Sequence, residues 1–177
     1  GTEITLSSYK KNSLQGDSAL EEIYKNFGVE TFFENNKIQL KKVDNCQLST
    51  INSQLNSSPD IAQTIAVTCF GLGIGCHLTG LHTLKIKETD RLLALKNELE
   101  KLGAQVSISD DSLTLEVSSE IKENIKIKTY QDHRMAMAFA PLALKTDIII
   151  EEAEVVSKSY PAFWIDLKSI GFSIEEV

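Results

Sequence analysis

Apolar residues recur with the spacing of an amphipathic helix in two separate stretches of the chain. They are Leu20, Ile23, Tyr24 and Phe27 in the first stretch, and Leu92, Leu95, Leu99 and Leu102 in the second. A glycine follows each stretch at once, Gly28 in one case and Gly103 in the other. Glycine is favoured just past a helix because it readily adopts the left-handed conformation found there. The pattern therefore predicts two helices that end at these glycines.

Two short segments that are typical of paired strands follow each of these helices. Val29–Phe33 and Lys37–Leu40 are separated by a polar turn, and so are Ala104–Ile108 and Leu113–Val117. Short runs rich in β-branched, aromatic and other apolar residues, joined by a few turn-forming residues, are the usual signal of a hairpin. We therefore predict one hairpin after each helix.

A second, more uniformly apolar helix is predicted in each half of the chain. Asp60 opens the first and Asp132 opens the second, and a carboxylate is a good N-cap because it accepts hydrogen bonds from the free amides there. A strand is expected after each helix, at Cys76–Thr79 and Ile148–Ile150. A last helix is predicted to begin near Pro161, since proline is favoured in a first helical turn.

The same order of elements occurs twice, so the chain contains an internal repeat. Asp132, for example, lies 72 positions after Asp60. We predict a single partial domain over residues 1–177, made of two β–α–β–β–α–β units at about 13–83 and 84–177. The helices of one unit cannot bury their apolar faces alone, so stacked units with helices inside and sheets outside are expected. The predicted fold class is α/β (α+β).

Composition and charge exclude several classes of partner. The 177 residues are 42% hydrophobic and carry a net charge of −7. Nucleic-acid binders usually have a basic excess, so no nucleic-acid partner is expected. No stretch approaches the roughly 20 apolar residues of a membrane span, so no membrane association is expected either.

Neither a metal nor a cofactor is predicted. Cys46, Cys69 and Cys76 are odd in number and lack a paired CxxC spacing, which argues against a zinc site or a disulfide framework. The glycines of 71–75 follow a helix and precede a strand, which is the reverse of a dinucleotide-binding turn. Three cysteines without an export signal fit a cytoplasmic location.

Cations stand at several predicted helix starts, where the helix dipole disfavours them by about 0.3–1 kcal/mol each. Lys87 and Arg91 flank one start, His133 and Arg134 another, and Lys158 precedes a third. Lys87 and Arg91 are four positions apart, so in a helical first turn they would share a face. These side chains could be solvated surface charges or partners of nearby aspartates. Alternatively, cations and helix amides that converge would bind a multiply charged anion.

Two acidic residues lie among these cations and are candidates for proton transfer. Glu88 follows Lys87, and Asp60 opens the equivalent helix in the other half of the chain. A carboxylate among cations could act as an acid or a base. The alternative is that Glu88 is an ordinary helix-start residue and Asp60 only a cap.

Five motifs resemble those of 5-enolpyruvylshikimate-3-phosphate synthases. The strongest are Lys-Glu-Thr-Asp-Arg at 87–91 and Asp-His-Arg-Met-Ala-Met at 132–137. Ser-Lys-Ser-Tyr-Pro at 157–161 is similar to a third, and residues 12–17 and 59–60 match two weaker ones. The resemblance covers nearly the whole chain, in the order and at the spacing of the family.

The resemblance implies an activity and an architecture. The family transfers the enolpyruvyl group of phosphoenolpyruvate to the 5-hydroxyl of shikimate 3-phosphate and releases phosphate, a step towards chorismate and the aromatic amino acids. Its fold has two domains, each of three β–α–β–α–β–β units that close on the substrates. The chain would supply part of one domain. The N-terminal domain of the same enzyme would be missing, so we expect the chain alone to be inactive.

The resemblance also implies roles for individual residues at the site of the predicted anion. Arg91, Arg134 and Lys158 would bind phosphoenolpyruvate and the departing phosphate. Glu88 would donate a proton to the methylene carbon, with His133 beside it.

The acceptor substrate would be held by other residues of the same motifs. Asp60 and Lys87 would contact shikimate 3-phosphate, and Asp60 would be a candidate base for its 5-hydroxyl. Many members carry an asparagine four residues before the motif lysine, where this chain has Thr83. At Thr83, where the resemblance implies a contact with the shikimate 3-phosphate, the chain therefore differs from the family.

Two other functions remain open. A UDP-N-acetylglucosamine enolpyruvyl transferase has a similar fold but lacks the strings at 87–91 and 132–137. A non-catalytic, anion-binding repeat domain would share the cations but would not need the acid and base.

Overall fold

The computed structural model describes residues 3–7, 9–11, 13–87 and 89–176 of the chain. Its strands are β1 (Glu3–Ser7), β2 (Val29–Glu34), β3 (Lys37–Lys42), β4 (Ile51–Gln54), β5 (Cys76–Thr79), β6 (Val106–Ile108), β7 (Ser112–Leu115), β8 (Ile125–Ile127) and β9 (Ile148–Ile150). Its α-helices are α1 (Leu20–Lys25), α2 (Ala62–Gly71), α3 (Arg91–Lys101), α4 (His133–Phe139) and α5 (Phe163–Ser169). Short 3-10 helices lie at Gly16–Ala19, Pro59–Ile61, His82–Ile86, Ala140–Leu144 and Ala153–Lys158.

The described strands form three small sheets. The first has the order β1-β3-β2 and is antiparallel, the second has the order β4-β5-β7-β6, and the third pairs β8 with β9. Both predicted hairpins are confirmed, as β2–β3 and β6–β7. In the first of them Asn35 and Asn36 both have positive φ, 48° and 61°, which suits the tight turn between twisted strands.

The same connection occurs twice and places two helices inside the molecule. Strand β4 leads through α2 to β5, which pairs with it in parallel, and β8 leads through α4 to its parallel partner β9. A parallel pair needs such a crossover, and the helix of each crossover lies on one face of its sheet. The two helices pack against each other. The residues just before α2 and just before α4 therefore lie near one another.

The core forms around α2. Most of its residues are buried, and Ile65, Ala66 and Cys69 have no exposed surface. The predicted apolar face of α3 is confirmed, since Leu92, Leu95, Leu99 and Leu102 are all fully buried. Among the described helices, α2, α3 and α4 each contribute several buried residues, as predicted, whereas α1 contributes none and α5 only Phe163. The bounds of the two repeat units stay a prediction.

Three helix starts differ from the sequence-based prediction. Asp60 is not an N-cap: Pro59 begins a 3-10 turn whose N-cap is Ser58, and the Asp60 side chain makes no capping bond. Helix α3 begins at Arg91 with Asp90 as its cap, so Lys87 precedes the helix in an extended conformation and does not share its first turn. Helix α5 begins at Phe163, after a turn that contains Pro161.

Candidate functional site

Asp60 lies at the centre of a group of charged side chains. Its position follows from β4 and the 3-10 turn at Pro59–Ile61, which carry it to the start of α2. The carboxylate Oδ1 is 2.9 Å from Nη1 of Arg91 and 3.2 Å from Nζ of Lys87. The Asp60 side chain thus does not cap α2. It pairs instead with Lys87, which precedes α3, and with Arg91, which begins α3.

Arg91 and Asp132 form a buried ion pair. Nε of Arg91 lies 2.7 Å from Oδ2 of Asp132, and the two side chains are 3% and 0% exposed. The prediction that Asp132 caps α4 is confirmed, because its Oδ1 accepts from the backbone N–H of Arg134 at 2.9 Å. Asp132 therefore does two things: it begins one helix and neutralises the first residue of another.

Gln63 joins this pair from α2. Its side chain is 1% exposed, and its amide Nε2 donates to Oδ2 of Asp132 at 3.2 Å. Sequence reasoning did not single out Gln63. The one feature of the sequence that could have indicated it is a polar side chain in a helix of mostly apolar residues. Buried amides of this kind are usually hydrogen-bonded.

Arg134 extends the group towards solvent. Its Nη1 and Nη2 donate to the two carboxylate oxygens of Asp17, each at 3.3 Å, and Nη1 also donates to the backbone carbonyl of Asp60 at 3.3 Å. The side chains of Arg134 and Asp17 are 27% and 52% exposed. Asp17 belongs to a motif that the sequence analysis recognised, but no role was predicted for it.

We call these residues the charged cluster: Asp17, Asp60, Lys87, Arg91, Asp132 and Arg134. Three are cations and three are anions, so the internal charges balance. Burial falls across the cluster from the Arg91–Asp132 pair to the Arg134–Asp17 pair. One side of the cluster is therefore closed and rigid, and the other is open to an incoming ion.

The remaining predicted site residues have different surroundings. His133 is the first residue of α4 and is partly exposed. Lys158 ends the 3-10 helix Ala153–Lys158, which packs against α4, and its side chain is exposed. Oγ1 of Thr83 is buried and has no hydrogen-bond partner among the described residues. Glu88 lies outside the described residues, so its role stays a prediction.

Within the described part of the chain, no group of His, Cys, Asp and Glu side chains has the arrangement of a metal site. Cys46, Cys69 and Cys76 are free thiols. The hydrogen bond that the Cys69 thiol donates to Cys76, together with burial, raises the pKa of Cys69, so this thiol stays protonated in the core. No helix among these residues is long and apolar enough to cross a membrane.

Comparison with known sequences identifies relatives along almost the whole chain. The family model of EPSP synthase (3-phosphoshikimate 1-carboxyvinyltransferase) matches residues 1–167. The 3-phosphoshikimate 1-carboxyvinyltransferase of Bacteroides fragilis is 43% identical over 176 residues, which is 98% of this chain and 43% of that protein. The enzyme of the same name from Clostridioides difficile is 38% identical over 179 residues, 99% of this chain and 40% of that protein. The chain thus spans about two fifths of these relatives' length.

Comparison with solved structures identifies the fold. EPSP synthase from Acinetobacter baumannii superposes with a TM-score of 0.83 at 23% identity, over 98% of this chain and 42% of that one. The enolpyruvyl transferase NikO from Streptomyces tendae superposes with a TM-score of 0.68 at 13% identity, over 99% of this chain and 40% of that one. The architecture is that of part of an enolpyruvyl transferase.

Proposed function

We propose that this chain, which belongs to the EPSP synthase (3-phosphoshikimate 1-carboxyvinyltransferase) family, supplies one wall of an active site that transfers enolpyruvyl from phosphoenolpyruvate to the 5-hydroxyl of shikimate 3-phosphate. The other wall would come from an N-terminal domain, since the relatives are more than twice as long as this chain. This is a transferase reaction of the shikimate pathway, and we propose that it takes place in the cytoplasm. It needs two small anionic substrates and neither a nucleic acid nor a membrane.

The convergence of Arg91 and Arg134 carries the proposal. They lie in the first turns of different helices, yet both donate to Asp60, one to its carboxylate and one to its carbonyl. A guanidinium recognises a carboxylate or a phosphate through two parallel hydrogen bonds. Arg134 would hold phosphoenolpyruvate in this way, and Arg91, which keeps its contacts with Asp60 and Asp132, would add positive charge beside it and help to stabilise the charge that develops as phosphate leaves. Lys158 would complete this site as a point charge on the phosphate.

Asp60 is suited to the acceptor side of the reaction. Its carboxylate is oriented by Arg91 and Lys87, and one third of its side chain remains exposed. We infer that it accepts the proton of the 5-hydroxyl while the hydroxyl oxygen attacks C2 of phosphoenolpyruvate. Lys87 would contact shikimate 3-phosphate beside it. The buried Oγ1 of Thr83 would take the place of the amide that many relatives have there.

Glu88 would provide the complementary acid. It follows Lys87 in the sequence, next to a residue that contacts Asp60. Protonation of the methylene carbon and attack at the neighbouring carbon give a tetrahedral adduct. Loss of phosphate and of one methyl proton then gives the enolpyruvyl ether. His133, at the start of α4, would lie beside the acid.

A kinetic experiment on the full-length enzyme that contains this segment tests the proposal. Phosphate release should require both phosphoenolpyruvate and shikimate 3-phosphate, and Arg134→Ala should lower it strongly. Turnover with UDP-N-acetylglucosamine in place of shikimate 3-phosphate would show that the acceptor is wrong. Binding of phosphoenolpyruvate without turnover on either acceptor would favour the non-catalytic, anion-binding domain.

A further inference from the structure

We propose that Asp17 is a displaceable internal counter-ion of Arg134. Its carboxylate occupies the guanidinium fork when no ligand is bound and leaves when an anionic ligand takes that place, so Asp17 sets the affinity of the site for its anion. The inference rests on the proposed function for the identity of that anion, phosphoenolpyruvate. The inference adds Asp17 to the site and explains the site's affinity for its anion by competition between Asp17 and the ligand for Arg134.

The geometry of the pair imitates that of a bound ligand. The two oxygens of Asp17 face the two terminal nitrogens of Arg134, one to one, at 3.3 Å each. This parallel arrangement is the one in which guanidinium groups bind the carboxylate or phosphate of a ligand. The carboxylate of Asp17 therefore stands where the carboxylate of a substrate would bind.

The two arginines of the charged cluster differ in what happens when the partner leaves. The carboxylate of Asp132 has no exposed surface, so if Arg91 moved away a buried charge would be left without compensation. The side chain of Asp17 is 52% exposed, so water replaces Arg134 at once if the pair opens. Arg134 can therefore exchange its acidic partner at low cost, whereas Arg91 cannot.

The hydrogen bonds of the outer pair are long. The Arg134–Asp17 contacts of 3.3 Å are longer than the roughly 2.7–2.9 Å usual for charge-assisted hydrogen bonds. The Nε–Oδ2 ion-pair contact of Arg91 with Asp132 is 2.7 Å, while the hydrogen bond from its Nη2 to Oδ1 of Asp132 is 3.4 Å. The two pairs therefore differ in exposure to solvent more than in hydrogen-bond length.

The backbone of Asp17 is held near the site independently of the ion pair. A Cβ placed on Gly16 would lie 3.3 Å from the backbone carbonyl of Ser57, so this segment packs closely against the loop that leads to Asp60. The 3-10 helix Gly16–Ala19 contacts the 3-10 helix Pro59–Ile61. Removing the carboxylate of Asp17 should therefore leave the position of the segment unchanged.

Asp17→Asn in the full-length enzyme tests the proposal, because it keeps the shape of the side chain and removes its charge. An exposed ion pair is worth about 0.2–1 kcal/mol, so loss of the competing anion should tighten phosphoenolpyruvate binding about 1.5- to 5-fold. We expect the Kd from calorimetry and the KM to fall by this factor, with a smaller change in kcat. Asp110→Asn is the matched control, since Asp110 pairs with Lys85 at 2.6 Å outside the charged cluster. It should change neither the Kd nor the KM.

A residue that only supported the fold would give a different result. Unchanged or weaker binding of phosphoenolpyruvate by a variant that melts like the wild type would overturn the proposal. Asp17→Ser, which removes the carboxylate with a smaller side chain, should also bind more tightly. If both variants fail to fold, Asp17 is a structural support and the proposal is wrong. Wild-type enzyme without phosphate release would refute the proposed function instead, while calorimetry with inorganic phosphate would still show whether Asp17 competes for Arg134.

Discussion

The guanidinium of Arg91 lies 2.7 Å from the carboxylate of Asp132, and neither side chain has more than 3% of its surface exposed. The two residues come from the starts of α3 and α4, and Arg91 also reaches Asp60 before α2. One arginine therefore links three helix starts. The first prediction concerns the strength of this link.

Asp132→Ala should destabilise the protein far more than a lost helix cap does. Breaking a buried ion pair costs about 3–5 kcal/mol, whereas the loss of an N-cap costs about 0.5–2 kcal/mol. Asp90→Ala is the matched control, because Asp90 caps α3 through the backbone N–H of Leu93 and takes no part in the buried pair. Urea unfolding of both variants measures the difference. Equal losses would mean that the buried pair contributes nothing beyond the cap.

Arg134→Ala should impair catalysis in the full-length enzyme while leaving stability nearly intact. Hydrogen bonds to charged groups are worth about 1.5–3 kcal/mol each, so the loss of two should lower kcat/KM for phosphoenolpyruvate by several orders of magnitude. The surface pair that it forms with Asp17 is worth at most about 1 kcal/mol of folding free energy. Arg134→Lys should recover only part of the activity, because an ammonium cannot form the parallel pair of bonds. Full activity of the lysine variant would contradict a forked contact.

The isolated chain should melt cooperatively and yet show no enolpyruvyl transfer. Its main core surrounds α2, but in the proposed site the positioning of both substrates needs groups that face the charged cluster from the other side. Calorimetry measures the melting, and phosphate release in the presence of both substrates measures the reaction. Turnover at a rate normal for an enzyme would contradict the two-walled site.

Gly28→Ala should cost more stability than Gly103→Ala, although each glycine lies within three residues of the end of its helix. Both have positive φ, 73° and 103°, which is unfavourable for alanine by about 1–2 kcal/mol. A Cβ at Gly28 would also lie 2.5 Å from Cβ of Cys46, whereas at Gly103 the nearest atom is 3.6 Å away, in the flexible Lys122 side chain. Thermal unfolding of the two variants isolates this steric clash. Equal losses would show that Cys46 moves aside freely.

Tyr130→Phe should destabilise the protein by about 1 kcal/mol at neutral pH, because it removes one hydrogen bond. The phenol donates to the fully buried carboxylate of Glu98 at 2.7 Å. Burial, and then Glu98, raises the pKa of Tyr130 above its usual value near 10. The contribution is therefore complete below the unfolded pKa and is lost as the pH rises through the folded one. Unfolding free energies of both proteins should converge in strong alkali, and a gap that persists there would contradict this assignment.

Local patterns in the sequence were sufficient to locate most helices and hairpins. The apolar face of α3 and the glycine that ends it are read directly from residue spacing, because amphipathic periodicity and helix termination depend on neighbouring residues. The cap at Asp132 was predictable for the same reason. No strand was delimited from the pattern at β1, β4 or β8, which have five, four and three residues. The strands β5 and β9 are just as short and were predicted from their place after an apolar helix.

The partners of the charged side chains were not predictable from local patterns. Asp60 resembles an N-cap in the sequence, but the 3-10 turn at Pro59 directs its carboxylate to Arg91. Asp17 and Arg134 are separated by 117 positions, so only the packing of distant elements brings them together. Gln63 faces Asp132 for the same reason. Cations at several helix starts indicate that a site exists, but the arrangement of its internal anions depends on the tertiary structure.

The two crossovers, β4–α2–β5 and β8–α4–β9, have an evolutionary consequence. If they descend from one duplicated ancestor, Asp60 and Asp132 began as copies of a single residue. Both now form ion pairs with Arg91, and only Asp132 is fully buried. Neither copy can therefore drift alone at these positions, because a substitution in one changes the charge that the other must neutralise. Because they share one arginine, Asp60 and Asp132 are expected to change together during evolution, although they lie in different halves of the chain.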